Sequence, residues 1–126
     1  MDFLGLRHLK ASLTNAFHGL VDAFQETAFR QELVIGVVAL PFAWFVPGLD
    51  LLWRVLLTVS WLCLPTMEVM NTAVENAVNI LSPEKNPLAK KAKDLAGAGV
   101  LLVCLVNVVV WGSAAFQVVK YFLQKP

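Results

Sequence analysis

Hydrophobic and polar residues follow a helical period through the first part of the chain. In residues 3–24 the apolar side chains recur at steps of three and four, and most polar side chains fall on the other side. A helix with this pattern lies in the membrane interface, with its aromatic side chains in the acyl boundary. We therefore predict an amphipathic surface helix over about residues 3–25.

Three long apolar runs follow this helix. Residues 33–49 carry no charge and contain Pro41, which is expected to kink or interrupt a helix. Residues 51–67 are also apolar, with Arg54 near their start, and Leu95–Val119 is the longest uncharged run. With their flanks these runs approach the length of membrane-spanning helices. The sequence therefore predicts an all-α membrane protein, with residues 1–126 as a single integral-membrane domain. Its spans are expected at about residues 28–48, 51–81 and 94–121.

Short polar segments connect the predicted helices. Glu26 and Arg30 are four residues apart after the surface helix, which predicts a surface ion pair. Residues 47–50 contain a Pro-Gly pair and are expected to form a tight turn. Residues 82–93 contain two prolines and four lysines and are predicted to be a polar loop. Asp94 then stands where it could cap the last helix.

The composition agrees with a membrane location. The chain is 58% hydrophobic and 15% charged, and its mean hydropathy is +0.67. These values are too apolar for a soluble domain of this size. A net charge of +1 argues against nucleic acid as a partner. Cys63 and Cys104 lack the spacing of a zinc site or a redox pair, so we interpret both as packing residues.

The distribution of Lys and Arg predicts the orientation in the membrane. Three spans put the two termini on opposite sides, and most cationic residues fall on the side of the N-terminus and the 82–94 segment. The positive-inside rule places that side in the cytoplasm. Glu26, Glu68, Glu75 and Asp94 then all lie near the cytoplasmic face.

The candidate chemistry lies in the stretch from Val59 to Asn79. Glu68 and Glu75 are seven residues apart, so on a helix they lie about 20° apart around the axis and about 10 Å apart along it. Asn71 flanks this line. Acidic side chains at membrane depth are costly, and for that reason they mark candidate functional sites.

These residues by themselves leave three classes of function open. Carboxylates, an amide and a lysine-rich segment suit Mg²⁺ and substrate phosphates, which indicates phosphoryl transfer with one carboxylate as general base. The chain nevertheless lacks a Walker A motif and a protein-kinase signature. In-line acids also form proton relays or coupling-ion sites of transporters, although three spans provide no inverted repeat. The third class is a structural subunit whose Glu residues pair with a partner's cations.

Three motifs give a more specific indication. They are AFRQE at 28–32, E-x-x-N-T-A-x-E at 68–75 and AKD at 92–94. In this order, on three short spans after an amphipathic helix, they resemble the prokaryotic diacylglycerol kinase family over nearly the whole chain. The resemblance implies a small homotrimeric enzyme of the bacterial inner membrane, with sites shared between subunits. It also implies that MgATP phosphorylates the primary hydroxyl of a membrane lipid.

The resemblance further implies roles for individual residues. Glu68 matches the general base, and Asn71 matches an active-site amide. Glu26 and Glu75 match the carboxylates that bind the metal ions. The residues implied to contact ATP are Arg7, Asn15, Glu26, Glu75, Glu84, Lys85, Asn86, Lys93 and Asp94. Those implied on the lipid side are Arg7, Ala28, Phe29, Arg30, Gln31, Glu32, Glu68, Gly97 and Trp111.

The chain departs from the family pattern in two places. Asn79 stands where an aspartate is expected, so the implied mechanism needs no acid there. The spacing between Gly19 and Glu26 is one residue shorter than usual. Undecaprenol kinases share the catalytic motif, but AFRQE with Glu32 is more similar to the diacylglycerol enzymes. We therefore predict diacylglycerol as the substrate and undecaprenol as the alternative.

Overall fold

The computed structural model describes residues 3–82 and 86–125. Within these ranges the protein consists of four helices and has no strand. They are α1 (Phe3–Ala23), α2 (Thr27–Phe45), α3 (Leu51–Leu81) and α4 (Pro87–Leu123). The last three are long and apolar enough to cross a membrane. The predicted fold class, an all-α membrane protein, is confirmed.

Two of the spanning helices are longer than a bilayer requires. At about 1.5 Å per residue, α2, α3 and α4 are about 28, 46 and 56 Å long. The hydrocarbon core of a bilayer is about 30 Å thick. Helix α2 therefore matches the core, whereas α3 and α4 extend beyond it.

Local signals in the sequence determine where α3 and α4 begin. The Asp50 side chain accepts a hydrogen bond from the Trp53 backbone N–H at 3.0 Å, which caps α3. The Asn86 side chain accepts one from the Leu88 N–H at 2.8 Å, and Pro87 follows it at the start of α4. Proline suits this position because the first N–H groups of a helix have no partner within it.

The predicted turn before α3 is confirmed. Gly48 has a φ of 94°, a conformation that favours glycine. The Tyr121 side chain lies directly against it, because a Cβ on Gly48 would be 2.7 Å from the Tyr121 Cβ. The end of α4 thus packs on the turn between α2 and α3.

Two local predictions are wrong, and one of the two alternatives expected at Pro41 does not occur. Residues 87–93 are the first turns of α4 and not a loop, because Asn86 and Pro87 start the helix before the lysines. Asp94 consequently lies inside α4 and does not cap it. Of the kink or interruption expected at Pro41, the interruption does not occur: α2 continues to Phe45, since one missing N–H is tolerated in a membrane helix.

Helix α3 is the central element. It packs along α4 on one side and against α2 on another, whereas α1 makes few contacts with the other helices. Four buried residues form the core at the end of the bundle away from the acidic residues: Ala43, Leu49, Leu57 and Ala114. At the other end, the Met67 side chain lies against Gly99, where a Cβ would be 2.4 Å from the Met67 Cε. This close approach holds α3 and α4 together near Glu68.

One polar contact lies in the middle of the α3–α4 pair. The Asn107 Nδ2 donates to the backbone carbonyl of Ser60 at 2.8 Å and to that of Val103 at 3.0 Å. Polar side chains in membrane helices commonly bond across to a neighbouring helix. This contact sets the register of the antiparallel pair, with Ser60 opposite Asn107.

Candidate active site

The structure gathers three predicted carboxylates at one end of the bundle. Glu68 is half-buried on α3 and interacts electrostatically with Glu75 and with Glu26. The Asn71 Nδ2 donates a hydrogen bond to the Glu75 Oε1 at 3.2 Å. Glu26 precedes α2, and its side chain accepts no capping hydrogen bond, so its carboxylate is not engaged by that helix. Spacing along α3 predicted the proximity of Glu68 and Glu75, and the expected topology placed Glu26 at the same end. The fold brings Glu26 within electrostatic range of Glu68.

The position of Glu68 along α3 sets its depth in a membrane. It is seventeen residues after Leu51, which is about 26 Å along the helix axis. Since the hydrocarbon core is about 30 Å thick, Glu68 lies at its boundary if Leu51 is at the opposite one. Glu75 lies about 10 Å further along, on the water side. With Leu51 placed at the opposite boundary, Glu68 is at the depth of lipid headgroups.

The first turns of α2 border the same carboxylates. Glu32 is half-buried, and its side chain interacts electrostatically with Glu68. Phe29 is buried, whereas Ala28, Arg30 and Gln31 are exposed. The predicted lipid-side segment, Ala28–Glu32, thus runs from the surface to a position beside Glu68.

The predicted ion pair between Glu26 and Arg30 is wrong. Arg30 instead donates from its Nη2 to the Thr27 Oγ1 at 3.4 Å. In residues 3–82 and 86–125 the ion pair that forms joins Lys90 and Asp94. Glu26 therefore keeps its charge available to the acidic cluster.

Helix α4 contributes a lysine on the water side. The Lys93 Nζ donates to the Asn79 Oδ1 on α3 at 2.6 Å, one turn beyond Glu75. Asp94 is paired with Lys90 on its own helix, so it does not join the carboxylates of α3 within one chain. Asn86 serves as the cap of α4. Glu84 and Lys85, both predicted ATP contacts, lie outside the described residues.

Two acceptor atoms beside Glu68 have no donor. The Glu32 Oε2 and the Asn71 Oδ1 are buried and have no hydrogen-bond partner in the described part of the chain. Buried polar atoms are nearly always satisfied, so an unpaired one calls for an explanation. A ligand that donates a hydrogen bond, or a cation, would satisfy either oxygen.

Besides Asp94, four other predicted site residues are not brought to the carboxylates within one chain. Arg7 and Asn15 are exposed on α1, and neither bonds to an acid among the described residues. Gly97 faces open space, with nothing within 4 Å of a Cβ placed there. Trp111 packs near Leu57, which is about 16 Å along α3 from Glu68. Their roles stay predictions.

Trp61 and Asn107 are two residues near the site or its supporting helices that the sequence motifs did not indicate. Trp61 Nε1 donates to the Glu32 carbonyl at 3.2 Å and so joins α3 to the lipid-side segment. A signal for it existed, because Trp61 is seven residues before Glu68, as Glu68 is before Glu75. Asn107 was detectable as a polar residue near the middle of the longest uncharged run.

The donor set of the site suits a hard cation only in part. No group of three or more His, Cys, Asp or Glu side chains in the described ranges could hold a metal by itself. Glu26 and Glu75 nevertheless offer carboxylate oxygens, and Asn71 offers an unpaired amide oxygen nearby. Mg²⁺ typically takes one or two carboxylates and completes its shell with water and phosphates. The residues therefore fit Mg²⁺ bound together with a phosphate ligand.

Comparison with known sequences decides the family. The sequence model for prokaryotic diacylglycerol kinase matches residues 14–115. The chain belongs to this family. A relative named diacylglycerol kinase in Haemophilus influenzae is 34% identical over 113 residues, covering 89% of this chain and 95% of that protein. Another in Helicobacter pylori is 32% identical over 109 residues, covering 86% and 84%. A third in Escherichia coli K12 is 36% identical over 86 residues, covering 68% and 70%.

Membership of the prokaryotic diacylglycerol kinase family confirms the resemblance and the enzyme class inferred from the motifs. It favours the kinase over the transporter and the structural subunit, and it implies a nucleotide as phosphoryl donor. With three apolar helices, the chain is a multi-pass bacterial membrane protein.

Proposed function

We propose that this kinase transfers the γ-phosphoryl group of ATP to the primary hydroxyl of diacylglycerol and so forms phosphatidic acid. The observation that carries the proposal is the position of Glu68. It lies between Glu32 on the lipid side and Glu75 on the water side, and it interacts electrostatically with both. A lipid hydroxyl and a nucleotide phosphate would meet at this carboxylate.

Glu68 acts as the general base in this proposal. Its carboxylate takes the proton of the lipid hydroxyl while the hydroxyl oxygen forms a bond to the γ-phosphorus. The bond between that phosphorus and the bridging oxygen of ADP breaks, and ADP leaves. The unpaired Glu32 Oε2 provides an acceptor that orients the hydroxyl or glycerol backbone. Phosphoryl transfer depends mainly on positioning and charge neutralisation. For the proton transfer, the protein therefore needs to supply only a base at the depth of the lipid hydroxyl.

Glu26 and Glu75 hold Mg²⁺ in this proposal, and Asn71 orients Glu75 through their hydrogen bond. When bound, Mg²⁺ neutralises charge on the phosphates. Lys93 binds a phosphate oxygen from the α4 side. Asn79 accepts from Lys93 as a neutral amide, which positions the ammonium group and leaves its charge uncompensated. Uncompensated positive charge is what an anionic ligand requires.

The remaining predicted contacts support a site shared between subunits. Arg7, Asn15, Gly97 and Trp111 do not approach the acidic cluster of their own chain, and the cluster is open to the surface on the Glu26 side. Exposed apolar side chains cover long faces of α2 and α4. We propose that a homotrimer brings these residues of one chain to the carboxylates of its neighbour, together with Asn86 and Asp94 at the start of α4.

A direct assay tests the reaction. Purified protein in mixed micelles would receive Mg²⁺, radiolabelled ATP and either dioleoylglycerol or undecaprenol. Label in phosphatidic acid is the expected result. Label only in undecaprenyl phosphate would keep the site but move the substrate to the alternative. Label in neither lipid would contradict the proposal.

The proposed orientation places the start of α4 at the cytoplasmic face of the inner membrane. Leu88 is exposed there and is absent from the proposed site. A Leu88→Cys variant, with Cys63 and Cys104 replaced by serine, should react with an impermeant maleimide only in inverted vesicles. Labelling in intact spheroplasts would contradict the orientation while leaving the reaction untouched.

A further inference from the structure

Trp61 on α3 contacts α2 in two ways. Its indole Nε1 donates to the Glu32 backbone carbonyl at 3.2 Å. Its ring lies on Gly36, one turn further along α2, where a Cβ would be 2.0 Å from the Trp61 Cζ2. Gly36 is buried, so the ring fills the space that every other residue would need for its side chain. One side chain thus sets both the distance and the register between the two helices.

This contact lies beside the carboxylates of the site. Trp61 is seven residues before Glu68, so it is on the same face of α3, about 10 Å from Glu68 along the helix axis. The residue that it holds, Glu32, interacts electrostatically with Glu68. The position of the Glu32 side chain relative to Glu68 therefore depends on the position of the indole.

Few other contacts could replace this one. Helix α2 packs against α3 less extensively than α4 does. The other side-chain hydrogen bond between α2 and α3 in the described residues joins the Trp44 Nε1 to the Thr58 Oγ1 at 3.0 Å. Thr58 is ten residues before Glu68, about 15 Å away along α3. Near the acidic cluster, Trp61 alone provides a directional contact between α2 and α3 within the described ranges.

We propose that Trp61 is a positioning residue for the lipid substrate: its hydrogen bond to Glu32 and its packing on Gly36 hold the Ala28–Glu32 segment at the distance from Glu68 that lipid binding requires. The inference rests on the proposed function, since it takes Glu32 as the lipid side of the site. Trp61 acts through Glu32 and does not touch the reacting atoms. The nucleotide side depends on it less, because Asn71, Glu75 and Lys93 lie on α3 and α4 and only Glu26 precedes α2.

The test compares two matched variants. Trp61→Phe keeps most of the aromatic ring but removes the donor to Glu32. Trp44→Phe removes the same kind of hydrogen bond between the same two helices, far from Glu68. Because one net hydrogen bond corresponds to about a three- to tenfold change in an equilibrium constant, we expect Trp61→Phe to raise the apparent KM for diacylglycerol by about that factor. Its KM for ATP should change less than its KM for lipid, and both KM values of Trp44→Phe should match those of the wild type.

A second experiment tests the packing on Gly36. Gly36→Ala introduces a methyl group where the Trp61 ring lies and should raise the lipid KM as well. In a Trp61→Leu background the smaller side chain leaves room, so the alanine should add little. Residues in contact show such non-additive effects, whereas independent ones add. If Gly36→Ala does not fold, the comparison of the two phenylalanine variants still decides the matter.

The outcomes separate this inference from the proposed function. An active wild type with equal lipid KM values in Trp61→Phe and Trp44→Phe would overturn the role of Trp61 alone. Equal increases in the KM for lipid and for ATP would also overturn it, because they would indicate general loosening of the bundle. A wild type that phosphorylates no lipid would instead refute the proposed function.

Discussion

Replacement of Glu68 by glutamine tests the chemistry of the site most directly. The substitution keeps the shape and hydrogen-bonding capacity of the side chain but removes the carboxylate that would accept the lipid proton. Glu68 is half-buried and lies among like charges, with Glu26, Glu32 and Glu75 all within electrostatic range. Its removal therefore relieves repulsion, so loss of activity would not be explained by loss of folding.

The proposed role of Glu68 as general base sets the expected loss of rate. A general base typically contributes a factor of about 10² to 10⁴ to the rate. At 1.36 kcal/mol per tenfold, Glu68→Gln should raise the barrier by about 3–5 kcal/mol. The interaction is made in the transition state, so kcat should fall while the KM for ATP and the affinity for MgATP stay close to those of the wild type.

The assay would measure kcat and both KM values in mixed micelles, with MgATP binding and thermal unfolding measured on the same preparations. Asp22→Asn is the matched control, since it removes one negative charge from an exposed position on α1. The control should retain wild-type kinetics. A Glu68→Gln variant with more than about a tenth of wild-type kcat would refute the assignment of the base. Loss of MgATP binding in that variant would move Glu68 to the nucleotide side.

Three further substitutions test the surroundings of Glu68. Glu75→Gln keeps an acceptor for Asn71 but removes the negative charge. The Mg²⁺ concentration needed for half-maximal activity should therefore rise about tenfold. An unchanged Mg²⁺ titration would remove Glu75 from the metal site. Lys93→Ala should raise the KM for ATP by about tenfold or more, because it removes a charged hydrogen bond, and leave the lipid KM unchanged; wild-type nucleotide kinetics would contradict that role. Asn107→Leu removes the hydrogen bond to the Ser60 carbonyl. It should lower the free energy of unfolding by about 0.6–1.7 kcal/mol in denaturant titrations, while the folded enzyme stays active. Unchanged stability would show that this hydrogen bond makes no net contribution.

The start of α4 shows how a correct compositional pattern can mislead. Prolines and lysines in residues 82–93 indicated a loop, but the composition of a segment does not show where in it each proline stands. Pro87 directly follows a capping Asn86, and at that place proline begins a helix and does not break one. Because α4 begins before the lysines, Asp94 lies within it and pairs with Lys90 one turn earlier. It does not join the carboxylates of α3.

The sequence by itself determined the membrane-spanning helices, the line of Glu68 and Glu75, and the family. These depend on hydrophobicity, on the 3.6-residue period and on residue order, all of which are local properties of a chain. Only the tertiary structure decided that Glu26 and Glu32 approach Glu68, that Lys93 meets Asn79, and that an indole holds α2 against α3. Those contacts depend on which surfaces pack, and the packing follows from small residues such as Gly36 and Gly99 that let helices approach closely. A glycine in an apolar run does not reveal which side chain will lie on it, because that partner is 25 residues away from Gly36 in the chain.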